Sequence, residues 1–103
     1  MDGPGSSGFE DIMFINDSVP ELDMDDIDLS ISFLGKRLVY PVLINAITGG
    51  TEQAGIINRN LACLAHKYGI AMAVGSQTIA LEDPGLRDSF TVVRDMNPDG
   101  LIM

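Results

Sequence analysis

Basic residues are scarce in this chain of 103 residues: six Lys and Arg stand against 15 Asp and Glu, for a formal net charge of −9. The deficit is uneven, with nine acids and two bases in residues 1–50 (−7) and six acids and four bases in residues 51–103 (−2). Such a balance argues against nucleic acid and against anionic membrane surfaces as partners, because both select basic patches. It also repels phosphorylated metabolites, so a diphosphate ligand would need cations or a metal ion supplied largely from outside the segment. Cysteine is nearly absent as well. The single Cys63 cannot form an internal disulfide, which fits a reducing compartment. No apolar run approaches the roughly 20 residues that cross a bilayer, and the first residues lack the basic and then apolar layout of a secretory signal. The chain reads as cytoplasmic.

What is present is a hydrophobic content of 46%, far too high for a disordered segment, laid out in short runs between Gly, Pro and Asp. The first eight residues hold three Gly, one Pro and two Ser, a flexible composition. Phe9 to Ile15 reads as a short extended segment, closed by Asn16-Asp17-Ser18 and Pro20. Ile27, Leu29 and Ile31 then alternate with Asp28, Ser30 and Ser32 at strand period, and Gly35-Lys36 marks a hairpin turn.

After Pro41 the pattern changes. Val42-Leu43-Ile44 is almost wholly apolar, as in a parallel strand buried on both faces. A loop, Asn45 to Gly50, leads to Thr51, which can cap a helix with Glu52 in its first turn. Ile57, Leu61, Leu64 and Tyr68 share one face of that helix and are predicted to be its inward stripe. Gly69 ends it. Ile70 to Val74 is a second buried strand, left through Gly75-Ser76-Gln77. Asp83-Pro84 opens a further helix with Leu86, Phe90 and Val93 inward, Asn97-Pro98-Asp99-Gly100 stops it, and Leu101-Ile102-Met103 starts a third strand.

Strand starts near residues 42, 70 and 101 give a repeat of about 30 residues, the size of a βαβ unit. The expected fold class is therefore α/β: an N-terminal extension with short strands over residues 1–38, then over residues 39–103 three parallel strands and two helices, the chain stopping inside the third strand. Periodicity leaves open whether the sheet closes into an eight-stranded barrel, which takes about 250 residues, or stays open. Either way an edge and one face stay uncovered, which favours self-association.

Ligands in such folds lie at the carboxyl ends of the strands, here the loops Asn45 to Thr51 and Gly75 to Thr78. Gly49-Gly50 would let backbone N–H groups approach an anion or a planar ring, or would serve ordinary turn geometry. GxxxxGK[ST] does not occur, and the GxGxxG spacing of Gly3 to Gly8 has no strand pattern ahead of it and no helix pattern after it, so neither phosphate-binding fingerprint is present. Cys63 and His66 could face each other on their helix but form neither a zinc set nor a convincing nucleophile pair. The acidic run Glu21 to Asp28 lacks the central Gly and terminal Glu of a calcium loop and reads as a solvated surface. No catalytic residue and no metal ligand is identified.

The succession Gly8-Phe9-Glu10-Asp11-Ile12, Pro20-Glu21-Leu22, Asp28-Leu29-Ser30, Phe33-Leu34-Gly35-Lys36, Asn45-Ala46-Ile47-Thr48-Gly49-Gly50, Ile57-Asn58, Val74-Gly75-Ser76-Gln77 and Asn97-Pro98-Asp99-Gly100 resembles type 2 isopentenyl-diphosphate isomerase, collinearly from Gly3 to Met103. The resemblance implies the opening part of a flavin-dependent TIM (β/α)8 barrel that interconverts isopentenyl and dimethylallyl diphosphate in isoprenoid biosynthesis. It implies reduced FMN, Mg²⁺ and NADPH as cofactors of the full-length protein, with the reduced flavin in the acid-base role. Ala46, Ile47, Thr48 and Ser76 then fall on flavin-contacting positions, and Ser76, Gln77 and Thr78 on a substrate-contacting stretch for the diphosphate. Ile47 stands where the family usually has Met, and Thr78 where Arg or Met is frequent. The family's remaining diphosphate, metal and flavin-phosphate groups have no counterpart between Met1 and Met103, so the isolated piece is expected to be inactive. Two other readings are a piece of an FMN-dependent 2-hydroxy-acid dehydrogenase-like barrel, and a non-catalytic piece that self-associates or joins a homo-oligomer.

Overall fold

Residues 5–103 are described by a computed structural model of the chain. The composition-based reading of a flexible start falls in part on residues 1–4, which lie outside the described residues. Where an extended segment is expected from Phe9, the backbone instead makes a 3₁₀ turn over Phe9–Asp11, preceded by Gly8 at φ 78°. Another 3₁₀ turn, Met24–Asp26, is closed by Asp23 and Asp26: the Asp26 carboxylate accepts from Asp23 N–H at 3.2 Å and the Asp23 carboxylate from Asp25 N–H at 3.5 Å. The acidic run is thus spent on local turn chemistry, which competes with the ladder that its flanking alternation suggests. The strand begins only at Ile31: β1 (Ile31–Phe33) pairs antiparallel with β2 (Lys36–Leu38) around Leu34-Gly35, both at positive φ.

A parallel arrangement follows. β3 (Leu43–Ile44) pairs with β4 (Ala71–Met72), Leu43 opposite Ala71 and Ile44 opposite Met72. On the far side of β4, Met72 forms a parallel bridge with Ile102, supported by Met72 N–H to Leu101 O at 3.0 Å and Val74 N–H to Met103 O at 2.8 Å. Three extended segments thus lie side by side in chain order, each joined to the next through helix.

The first connection is α1 (Glu52–Tyr68), started by Thr51, whose hydroxyl accepts from Ala54 N–H at 3.0 Å, and ended by Gly69 at φ 60°. Its buried residues are Ala54, Asn58, Ala62 and Ala65. The stripe Ile57, Leu61, Leu64 and Tyr68 is therefore not the inward face: Ile57, Leu64 and Tyr68 are exposed and only Leu61 joins the edge of the core. Small side chains face inward because α1 lies against α3 (Asp88–Met96), the most extensive contact between elements, and alanines let two helices approach closely. The second connection is more broken than the sequence pattern suggests. It comprises α2 (Thr78–Glu82), a 3₁₀ turn Pro84–Leu86 capped by Asp83 onto Gly85 N–H at 2.9 Å, and α3, whose Phe90 and Val93 are buried as expected. Arg94 closes the turn after α3 by donating to the carbonyls of Asn97, Pro98 and Gly100 at 3.3, 2.9 and 3.1 Å.

The core gathers Ala62, Ala65, Ile70, Met72 and Val93, flanked by Ile44, Leu61, Val74, Val92, Met96 and Ile102. No helix among the described residues is long and apolar enough to cross a membrane.

Candidate functional site

The loops leaving β3 and β4 lie side by side because their strands are paired. Ala73 N–H donates to Ile44 O at 2.8 Å, and two residues further Gly75 N–H donates to Thr48 O at 3.3 Å. Gly75 is confined by this contact. A Cβ at that position would sit 2.9 Å from both the carbonyl carbon and the oxygen of Thr48. The loop carrying Ala46, Ile47 and Thr48 and the loop carrying Ser76, Gln77 and Thr78 are thereby joined at the strand ends.

Individual positions differ in what they present. Ala46 and Ile47 are exposed, Ile47 to 73%, and Ala46 N–H is held by the adjacent Asn45 carboxamide oxygen at 2.8 Å. Thr48 is half-buried. Ser76 and Thr78 share a hydroxyl–hydroxyl hydrogen bond of 2.9 Å, and both are exposed with Gln77 between them. Gln77 and Thr78 border a cavity of about 520 Å³ that also takes in Leu81, Arg87 and Phe90. Arg87 is the cation on that cavity, held in place by its Nε donating to Ala80 O at 3.4 Å. Sequence periodicity gives no hint of it, because Arg87 follows a 3₁₀ turn and its proximity to Thr78 depends on how α2 folds back.

Gly49 and Gly50 do not leave their backbone open to a ligand in the way their lack of Cβ suggests. A Cβ on Gly49 would meet the Phe90 ring at 2.0 Å, and one on Gly50, at φ 80°, would meet Ile79 at 2.5 Å. Gly50 N–H is already taken, donating to Ser89 Oγ at 2.9 Å. The pair serves close approach of α3 and α2 to the loop. Two buried polar residues complete this packing: Asn58 Nδ2 donates to Thr48 O at 3.2 Å and to Ser89 O at 2.9 Å, and Ser89 Oγ donates to Leu86 O at 2.7 Å. Asn58 and Ser89 were not legible as site residues, although an Asn on the inward face of a helix signals a buried hydrogen-bonding requirement once that face is known.

The remaining chemistry-bearing side chains lie elsewhere. Cys63 is exposed, and His66 does not turn to it: its Nδ1 lies 3.4 Å from Asn97 Oδ1. Asp28 carries a carboxyl held below its ordinary value, chiefly by the Ser30 backbone N–H at 2.8 Å and the Ser30 hydroxyl, with Arg37 at 3.6 Å contributing less. Among the described residues no group of three His, Cys, Asp or Glu side chains could hold a metal ion.

Comparison with known sequences adds a consistent result. No family model matches. The chain is 52% identical over 101 residues to a protein of Symbiobacterium thermophilum named isopentenyl-diphosphate delta-isomerase, the match covering 98% of this chain and 28% of that protein. Proteins of the same name from Methanosarcina mazei and Moorella thermoacetica are each 48% identical, over 97 and 102 residues, with 94% and 99% of this chain covered and 27% and 30% of theirs. The chain therefore spans somewhat over a quarter of the length of these relatives. At about half identity along nearly all its residues, it is similar to one continuous stretch of proteins named for isomerising isopentenyl diphosphate.

Proposed function

We propose that the chain is the part of a type 2, FMN-dependent isopentenyl-diphosphate isomerase that carries the first three strands of its barrel, and that the activity belongs to the longer protein. The observation that carries this reading is the collinear identity to three proteins of that name. The two loops joined at parallel strand ends support it, since ligands of α/β folds lie on that side.

Flavin fits the residues present in part. Ala46 and Ile47 offer exposed apolar surface that could pack against a planar ring, and Thr48 and Ser76 offer hydroxyls on adjacent loops. When bound, reduced FMN would supply the proton exchange across the carbon–carbon double bond. The chain's own residues would do the holding. Ser76, Gln77 and Thr78 would line the substrate side, and Arg87 on the neighbouring cavity is placed to offset some negative charge of a diphosphate. Mg²⁺ does not fit these residues, because no set of metal-ligating side chains comes together among those described. For NADPH, the GxGxxG spacing of Gly3 to Gly8 lacks the preceding strand pattern and following helix pattern of a dinucleotide fingerprint.

A chimera tests the reading. Replacing the matching stretch of the Symbiobacterium thermophilum isomerase with this chain is expected to give a protein that retains flavin absorbance and isomerises isopentenyl diphosphate under reducing conditions. Thr48→Ala or Ser76→Ala in that chimera is expected to weaken FMN retention. A folded chimera without flavin and without activity would sink the proposal.

A second reading, that the piece works by associating with other chains, is favoured by one observation: Met13, Phe14 and Ile15 are 90–95% exposed in succession.

A further inference from the structure

The buried pair Asn58 and Ser89 bonds both ends of the Thr48–Gly50 turn. Asn58 is 2% exposed and uses both hydrogens of its carboxamide, one on Thr48 O and one on Ser89 O. Ser89 is 7% exposed; its hydroxyl accepts from Gly50 N–H and donates its own hydrogen to Leu86 O. Every polar hydrogen these two side chains possess is therefore committed, and all four groups they reach, the carbonyls of Thr48, Ser89 and Leu86 and the Gly50 N–H, belong to backbone that side-chain identity does not control. Thr48 O also takes the Gly75 N–H, so its position sets that of the second loop.

We propose that Asn58 and Ser89 are positioning residues: a helix-borne clamp that fixes the Thr48–Gly50 turn, and through Thr48 O the Gly75 turn, in the geometry presented at the strand ends. The functional consequence rests on the flavin reading above; the clamp itself does not. Its physical basis is that buried polar groups with all partners satisfied specify one arrangement, whereas the loss of one partner leaves the others unsatisfied and the loop free to relax. A core of apolar residues of the same size would hold the helices together but would not select the orientation of three carbonyls and one amide. The clamp comes from α1 and α3, so the loop geometry is tied to the helix–helix contact and not to the strands alone.

Amide hydrogen exchange on the ¹⁵N-labelled 103-residue chain reads the clamp directly. Gly50 N–H is expected to be protected in the unsubstituted chain although it lies in a loop. In Ser89→Ala its exchange is expected to accelerate about tenfold, in line with one lost buried hydrogen bond, while amides in the middle of α1, such as Leu61 and Ala62, stay as they were. Ser89→Thr keeps the oxygen and is expected to restore most of the protection. A Gly50 amide that exchanges freely in the unsubstituted chain overturns the proposal without any variant needing to fold, and one unaffected in folded Ser89→Ala overturns it as well. Equal loss in Ser89→Thr and Ser89→Ala would trace the effect to packing and overturn it too. Flavin content of the chimera separates the two layers: a flavin-free chimera built with the unsubstituted sequence sinks the flavin reading and leaves the exchange result to decide the clamp. A chimera that binds FMN equally with and without the Ser89 hydroxyl overturns the positioning role.

Discussion

Gly75 and Asp28 show how differently single residues reveal themselves. Gly75 looks like one more turn glycine, but the nearest atoms to a Cβ there are backbone atoms of Thr48, which cannot rotate away. Gly75→Ala is therefore expected to lower stability by about 1–3 kcal/mol, the range for forced overpacking, read as a shift in urea midpoint. Gly8→Ala provides a contrast, since no atom lies within 4 Å of its Cβ position and only its φ of 78° resists the change. Asp28 shows in the sequence as one charge of an acidic run and as a polar position of the alternation with Ser30, but neither pattern assigns Ser30 and Arg37 as its partners. Its carboxyl is held below the ordinary aspartate value of about 3.9 by Ser30 first and by Arg37 less. A depressed carboxyl contributes stability above the unfolded-state value and loses it as pH falls through the folded one. An NMR titration is expected to place the Asp28 midpoint below that of ordinary aspartates, and Ser30→Pro, which removes the backbone donor, to raise it. A midpoint unchanged by that substitution would contradict the assigned cause.

At the scale of elements, the ends of α1 were legible and its inward face was not. Thr51 and Gly69 act locally: a hydroxyl on Ala54 N–H and a left-handed residue that stops the helix are chemistry confined to a few residues. Which face turns inward depends on α3, which begins 20 residues after the end of α1. Helix α1 carries large apolar residues on one side and alanines with Asn58 on the other, and weighting by side-chain size picks the wrong side. The same logic explains why α2 does not show in the sequence pattern, since five residues carry too little periodicity to register, and why Leu86, expected in the inward stripe of the following helix, falls instead in the 3₁₀ turn before it. The assignment of faces has a direct consequence. Ala62, fully buried against the core, replaced by Leu is expected to cost about 1–3 kcal/mol through overpacking. Ile57→Ala on the half-exposed side is expected to cost under about 1 kcal/mol. Thermal unfolding of the two variants, followed by far-UV circular dichroism, ranks them; the reverse order would restore the stripe Ile57, Leu61, Leu64 and Tyr68 to the interior.

For the whole molecule, the apolar content is larger than the fold consumes. The radius of gyration is 18.1 Å, against about 13 Å for a compact domain of roughly 100 residues, because the stretch before β1 is extended away from the packed part. Phe9, Met13, Phe14, Ile15, Val19 and Met24 are all exposed there. Hydrophobic content alone could show that such residues must be covered by something; it could not show that the chain's own helices leave them bare. Two opposing terms then govern the isolated chain. Burial of this surface between copies favours association at about 25 cal/mol per Å² of apolar area, while a net charge of −9 on each copy repels the next. Salt screens the second term over a Debye length of about 10 Å at 0.1 M and leaves the first largely intact. Sedimentation velocity is therefore expected to show association that grows with protein concentration and with added salt. Replacing Met13, Phe14 and Ile15 together by Ser is expected to shift the distribution towards monomer with the helical signal unchanged, since these side chains support no part of the core. A single monomeric species at all concentrations and salt levels would mean that the exposed surface is covered within the chain itself.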